Sequence, residues 1–230
     1  MKHPTVTAMN KPALALALLL FALPAVTAQN DAQKPALKRI EILISGNAFN
    51  GRYYTVYYKD FKPDDVPQEV YDGLWEIQKE VIDNFTYDYA ALSDRKRLPN
   101  MSTKEDYYKY GKGVCENYAD FFILLAREKG LTKNLYKVSG DGKRGGHAWL
   151  EYRTEENTYI IDPTWSDDFS YYQGKDTKQR FRESPAYGKR AFFITYAEDK
   201  SIFRKQGYDH SSFPVKRTET PLWDKAEQTP

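Results

Sequence analysis

The stretch from Gly111 to Thr164 constrains this chain more than any other, because it holds the only cysteine of the 230 residues, followed by a histidine and an aspartate. Cys115 lies in GKGVCENYADFFILLAREKG, His147 in GGHAWLEY and Asp162 in YIIDPTW. Thiol, imidazole and carboxylate are the groups of a cysteine nucleophile served by an oriented base. A lone cysteine fits an inert buried side chain equally well. The surrounding pattern therefore has to decide.

Cys115, Ala119, Phe122 and Ala126 recur at helical spacing, with Gly111 and Gly113 freeing the backbone before them and Gly130 as a C-terminal stop. The spacing predicts a helix with Cys115 in its first turn. Unpaired amides and the positive end of the helix dipole then favour the thiolate over the thiol, whose ordinary pKa is about 8.5. After the helix, LYKVSG, HAWLEY and YIIDPTW read as a β meander, the last two runs joined by the polar turn RTEENT. His147 begins one strand and Asp162 ends the next, so antiparallel pairing brings them side by side. Strands lie about 4.8 Å apart, within reach of a hydrogen bond between side chains on one face. Asp162 would hold one ring nitrogen of His147 while the other meets the thiol.

The ends bound the rest. Lys2 and Lys11, the apolar run Ala13 to Leu23, Pro24 and the small residues to Ala28 form a secretory signal peptide over residues 1–28. Its 11-residue apolar core is too short for a bilayer span of about 20 residues. An exported protein, periplasmic or extracellular, is expected. The two leader lysines account for the whole formal charge of +2, so nothing favours nucleic acid or stable insertion in a membrane after cleavage. Residues 29–37 read as a flexible N-terminus, 38–215 as a single domain and 216–230 as a polar tail.

Within that domain IEILIS and RYYTVYYKDF predict a hairpin across GNAFNG. Val70, Leu74, Ile77, Val81 and Phe85 predict an amphipathic helix of about four turns. Ala90 to Gly113 reads as a loop with one short helical turn at most, and AFFIT as a further strand. Trp149 and Trp165 pack the core or flank the cleft. His210 reads as structural. No metal site is expected, since His147, His210 and one cysteine lack the usual ligand spacing, and no cofactor is called for.

The run GVCENYADFFILLAREKGL, followed by GGHAW and YIIDPTW, resembles the transglutaminase-like superfamily, which shares the papain-like cysteine-protease arrangement. Tyr87-Asp88 matches the family's upstream "Y-D" element. The resemblance covers Val70 to Trp165. It implies an α+β fold, with the cysteine helix packed on an antiparallel sheet that carries the histidine and the aspartate. It also implies Cys115 as nucleophile, His147 as general base and acid, and Asp162 as the orienting carboxylate. The backbone amide of Cys115 is one candidate oxyanion donor and the Tyr87 hydroxyl a weaker second, against plain packing for Tyr87. Papain itself is a poorer match, because only 32 residues separate Cys115 from His147 here.

The expected activity is cysteine-dependent acyl transfer through a thioester, by a peptidase, an amidase or a protein-glutamine transferase acting on a protein, peptide or cell-wall amide. The alternative is a non-catalytic transglutaminase-like binding or scaffold module.

Overall fold

The computed structural model describes residues 37–44, 52–143, 145–167, 182, 184–203 and 207–219. These fall within one unit spanning Pro35–Pro230. The expected leader, all but the last residue of the flexible segment and the tail beyond Glu219 lie outside the described residues.

The expected hairpin is present as β1 (Lys38–Ile44) and β2 (Arg52–Tyr58), antiparallel with Lys38 opposite Tyr58. The helix read from period-four apolar positions is α1, Gln68–Asn84, with Glu69 in its first turn. Leu74, Ile77, Val81 and Ile82 on its inner face are fully buried. Burying one such side chain stabilises by about 1.5–3 kcal/mol, which explains why this stripe dictates the helix. Phe85 ends α1 in an extended conformation and stacks edge-on against Tyr118, 4.9 Å between ring centroids.

The segment from Ala90 to Gly113 is more ordered than the sequence suggested. It follows the short strand β3 (Thr86–Tyr87) and holds most of α2 (Tyr89–Ser93), a 3-10 turn at Arg95–Arg97, α3 (Lys104–Tyr110) and β4 (Lys112–Gly113). Local capping is the reason. The Asp88 carboxylate accepts the Ala91 amide at the start of α2. Thr103 and Asp106 form a reciprocal capping box at the start of α3, and Gly111 closes α3 at φ 61°, a conformation that costs a residue with a Cβ. β3 pairs in parallel with β4, which fixes the backbone two residues before Cys115.

α4, Cys115–Glu128, packs its buried face, including Tyr118, Phe121 and Phe122, against α1 and the sheet. The sheet comprises β5 (Leu135–Gly142), β6 (Gly145–Arg153), β7 (Thr158–Ile161), β8 (Phe192–Ile194) and β9 (Val215–Thr218), in the order β8-β7-β6-β5-β9. The three central strands are the predicted meander. All pairings in this sheet are antiparallel, so the α+β class holds. Central β6 is covered on both faces: Leu150 and Tyr152 join α1 and α4, while Trp149 points to the opposite face with Ile160, Ile194, Ile202 and Phe203. That second face is closed by α6 (Tyr196–Phe203) and by a 3-10 turn at His210–Ser212.

One boundary moves. The polar stretch from Lys216, expected as tail, continues as β9 through Thr218 and pairs with β5, Val138 opposite Thr218. All four β9 side chains are exposed, so no apolar alternation marks the strand; backbone pairing alone places it on the sheet edge.

Candidate active site

Cys115 is the first residue of α4. Val114 before it is extended, and the Val114 amide donates to Asn117 Oδ1 at 3.0 Å, tying the entry of the chain to the first turn. Gly113 is required there by close approach: a Cβ at this position would lie 2.7 Å from Asn117 Cβ and 2.8 Å from Phe85 Cζ. Cys115 is buried, 5% exposed. The imidazole of His147 and the backbone amide of Ala148, the next residue on β6, both act on the sulfur and favour its anion. One strand thus supplies both a side chain and a main-chain donor to the sulfur.

His147 Nε2 lies 2.6 Å from Asp162 Oδ2, leaving Nδ1 for the sulfur. The register explains the contact in more detail than strand adjacency did. β6 and β7 pair Leu150 with Ile161, and one further step sets Asp162 opposite Trp149, so Asp162 is the diagonal neighbour of His147 on the same face. At Asp162 the chain leaves the strand. Pro163 starts the short helix α5 (Pro163–Ser166), which Asp162 caps by accepting the Trp165 amide on Oδ1 at 3.0 Å. The "DPT" turn therefore fixes the carboxylate while directing its other oxygen at His147.

The charges follow from burial and contact. Burial pushes the Cys115 thiol up, but hydrogen bonding and charge from His147 and the Ala148 amide outweigh it, and the net shift is downward. Burial alone would lower His147; the Asp162 carboxylate reverses this and the imidazole is pushed up to about 10. Asp162, with 0% exposure, is held well below the usual carboxylate range, because the charge of His147 and hydrogen bonds from His147 and His210 overcome its desolvation. At neutral pH the arrangement favours a thiolate–imidazolium pair anchored on a carboxylate.

Two participants went unrecognised in the sequence. His210, read as structural, reaches Asp162 Oδ2 with Nε2 at 2.9 Å, the same oxygen that His147 uses. Its Nδ1 meets Asp199 Oδ1 at 2.7 Å, and its backbone amide donates to Asp199 Oδ2 at 2.7 Å. His147 and His210 are enclosed by Trp149, Trp165 and Phe213, with Trp165 stacked on His147 at 4.8 Å. The available signal was the pair Gly140 and Gly142 inside β5. A Cβ on Gly140 would lie 2.5 Å from Phe213 O, and one on Gly142 2.7 Å from Ser212 O. Interior strand glycines of this kind mark the close approach of another backbone, here the turn that carries His210.

Tyr87 packs against the rings of Tyr89 and Tyr118, at 4.8 and 6.4 Å, in the short strand beside β4. His147, Asp162 and His210 offer three potential ligand atoms within 4.8 Å of one another. Both Nε2 atoms converge on one carboxylate oxygen at hydrogen-bond distance, the geometry of donors around an acceptor. A cavity of about 330 Å³ lies elsewhere, lined by Met101, Tyr107, Asp120, Lys137 and Arg217, and none of the site residues borders it.

The site thus sets a cysteine at a helix start beside a histidine on a central strand, itself hydrogen-bonded to a buried aspartate, on an α+β scaffold. Residues 63–163 match the model of the transglutaminase-like superfamily, so the resemblance read from the motifs around Cys115, His147 and Asp162 holds over that stretch. A crystal structure from Cytophaga hutchinsonii, of a protein assigned provisionally as a cysteine protease, is similar at 15% identity and a TM-score of 0.31, covering 56% of this chain and 62% of that one. No curated protein is matched by the sequence. Among the described residues, no helix is long and apolar enough to cross a membrane.

Proposed function

We propose that the protein is an exported, cysteine-dependent acyl-transfer enzyme acting on a protein, peptide or cell-wall amide. The observation that carries this reading is the Cys115–His147–Asp162 arrangement, in which His147 is hydrogen-bonded to buried Asp162 at 2.6 Å and favours the anion of a thiol that lies at a helix start.

In this reading the Cys115 thiolate attacks an amide carbonyl. The Sγ–C bond forms as negative charge develops on the oxygen, and the backbone amide of Cys115, one of the first amides of α4 and thus without an intrahelical partner, is the candidate donor to it. His147, protonated on the nitrogen facing the sulfur, delivers that proton to the leaving amine as the C–N bond breaks. A thioester remains. Water, deprotonated by His147, then releases an acid; alternatively a primary amine attacks and a new amide forms. Asp162 stays ionised throughout and holds the ring. Export rests on the leader sequence at residues 1–28.

The deciding experiment incubates the protein with a glutamine-containing peptide, with and without a labelled primary amine. Ammonia release that Cys115→Ala abolishes supports hydrolysis, and incorporation of label supports transfer. Full activity in Cys115→Ala, or labelling of Cys115 by a thiol probe no faster than a model thiol, removes the proposal. A transglutaminase-like binding module would instead bind its protein or glycan partner equally well after Cys115→Ala.

A further inference from the structure

The hydrogen-bonded path does not stop at Asp162. His210 uses both ring nitrogens on buried carboxylates, Asp162 at 2.9 Å and Asp199 at 2.7 Å, and all three side chains are fully inaccessible. A neutral imidazole has one N–H and can donate to only one of them. An ionised carboxylate only accepts, so satisfying both contacts requires a proton on each nitrogen. Asp199 grips the same residue twice, since its second oxygen accepts the His210 backbone amide at 2.7 Å. The charged groups facing the His210 ring are Asp199 from α6, Asp162 after β7 and His147 from β6, whose ring centroid is 5.6 Å away. Arg190 lies over the Phe203 ring, which meets His210 edge-on, and the Asp209 carboxylate is occupied by the Ser211 amide.

We propose that His210, backed by Asp199, is a positioning residue of this site: a permanently protonated imidazole that anchors the shared oxygen of Asp162 and places a fixed positive charge behind the Cys115–His147 pair. This rests on the reading of Cys115 and His147 as a reactive pair. The charge has a definite signature. A cation near both groups favours the thiolate and disfavours the His147 imidazolium, so it holds the pH window of the reactive ion pair lower than it would otherwise lie. At 5.6 Å between rings and an effective dielectric near 20, its removal moves the His147 limb upward by about two pH units, and the Cys115 limb upward as well.

Two measurements test this. In the intact protein labelled with ¹⁵N-histidine, His210 is expected to show two protonated ring nitrogens at pH 7; it is told apart from the two other histidines by comparison with His147→Gln. One unprotonated ring nitrogen on His210 overturns the proposal. In His210→Gln, whose amide can still donate to Asp162, the pH profile of Cys115 alkylation by iodoacetamide is expected to shift upward on both limbs. A lower rate with unmoved limbs denotes a structural role only and also overturns it. Should His210→Gln fail to fold by circular dichroism, the ¹⁵N measurement on the intact protein decides. If the intact protein shows no raised thiolate reactivity at any pH, the proposed function falls instead, and the ¹⁵N result still reports separately on His210.

Discussion

Replacing Gly140 by alanine is expected to destabilise the protein and to slow reaction at Cys115 together. Gly140 pairs with His147 across β5 and β6, and its φ is outside the left-handed region. Alanine is therefore conformationally acceptable, and stiffening the unfolded chain would by itself stabilise by about 0.4–1 kcal/mol. The new Cβ, however, would lie 2.5 Å from Phe213 O and 2.9 Å from Phe213 C and Pro214 O, where ordinary contact begins at 3.4 Å. These atoms are backbone, so the turn at His210–Ser212 must back away by most of an ångström. Overpacking of this kind costs about 1–3 kcal/mol. The net loss is about 1–2 kcal/mol, which for a domain of this size lowers Tm by about 2–8 °C. Moving that turn also lengthens the bond from His210 to Asp162. Differential scanning calorimetry and iodoacetamide kinetics measure the two effects. Gly146→Ala is the control, since its Cβ would meet nothing closer than Asp141 Oδ1 at 3.1 Å, the end of an exposed side chain. A Tm for Gly140→Ala equal to or above that of Gly146→Ala would refute the close-approach argument.

His147→Ala is expected to leave burial as the dominant influence on Cys115, which slows alkylation and moves its pH profile upward, and to lower turnover by about 10²–10⁴-fold. Asp162→Asn should leave two buried imidazoles facing a neutral amide and reduce turnover by up to about 10⁴-fold, read from steady-state kinetics against a glutamine peptide. The folded-state pKa of His147 is raised, so its stabilising contribution is fully present below the unfolded value near 6.5 and is lost as pH rises towards about 10; Tm should decline across that interval, and decline less in His147→Gln. Trp149→Ala, which empties a fully buried site beside His147 and His210, should cost about 3–5 kcal/mol in denaturant unfolding.

What could be read from the sequence was what short-range periodicity determines. The helix carrying Cys115, the meander carrying His147 and Asp162, and α1 all announce themselves by apolar spacing, and antiparallel pairing then makes His147 and Asp162 neighbours. α3 was missed because a seven-residue helix has little periodicity to show, although Thr103 and Asp106 carry a capping signal three residues apart. β9 was missed because all its side chains face solvent. His210 was missed for another reason. It meets Asp162 across 48 residues of sequence, and no local pattern records such a contact. Only the glycines of β5 hinted that some backbone must pass there, without saying which.

The link from His210 to Asp162 also ties completion of the site to late parts of the chain. Cys115, His147 and Asp162 can meet once the chain has reached α5, but the clamp on Asp162 waits for the turn at residue 210, and the sheet edge beside it waits for β9. About a hundred residues separate the thiol from the side chain that anchors the carboxylate behind it. The last contact on the Asp162 carboxylate therefore closes only when residues late in the chain have folded back onto the sheet.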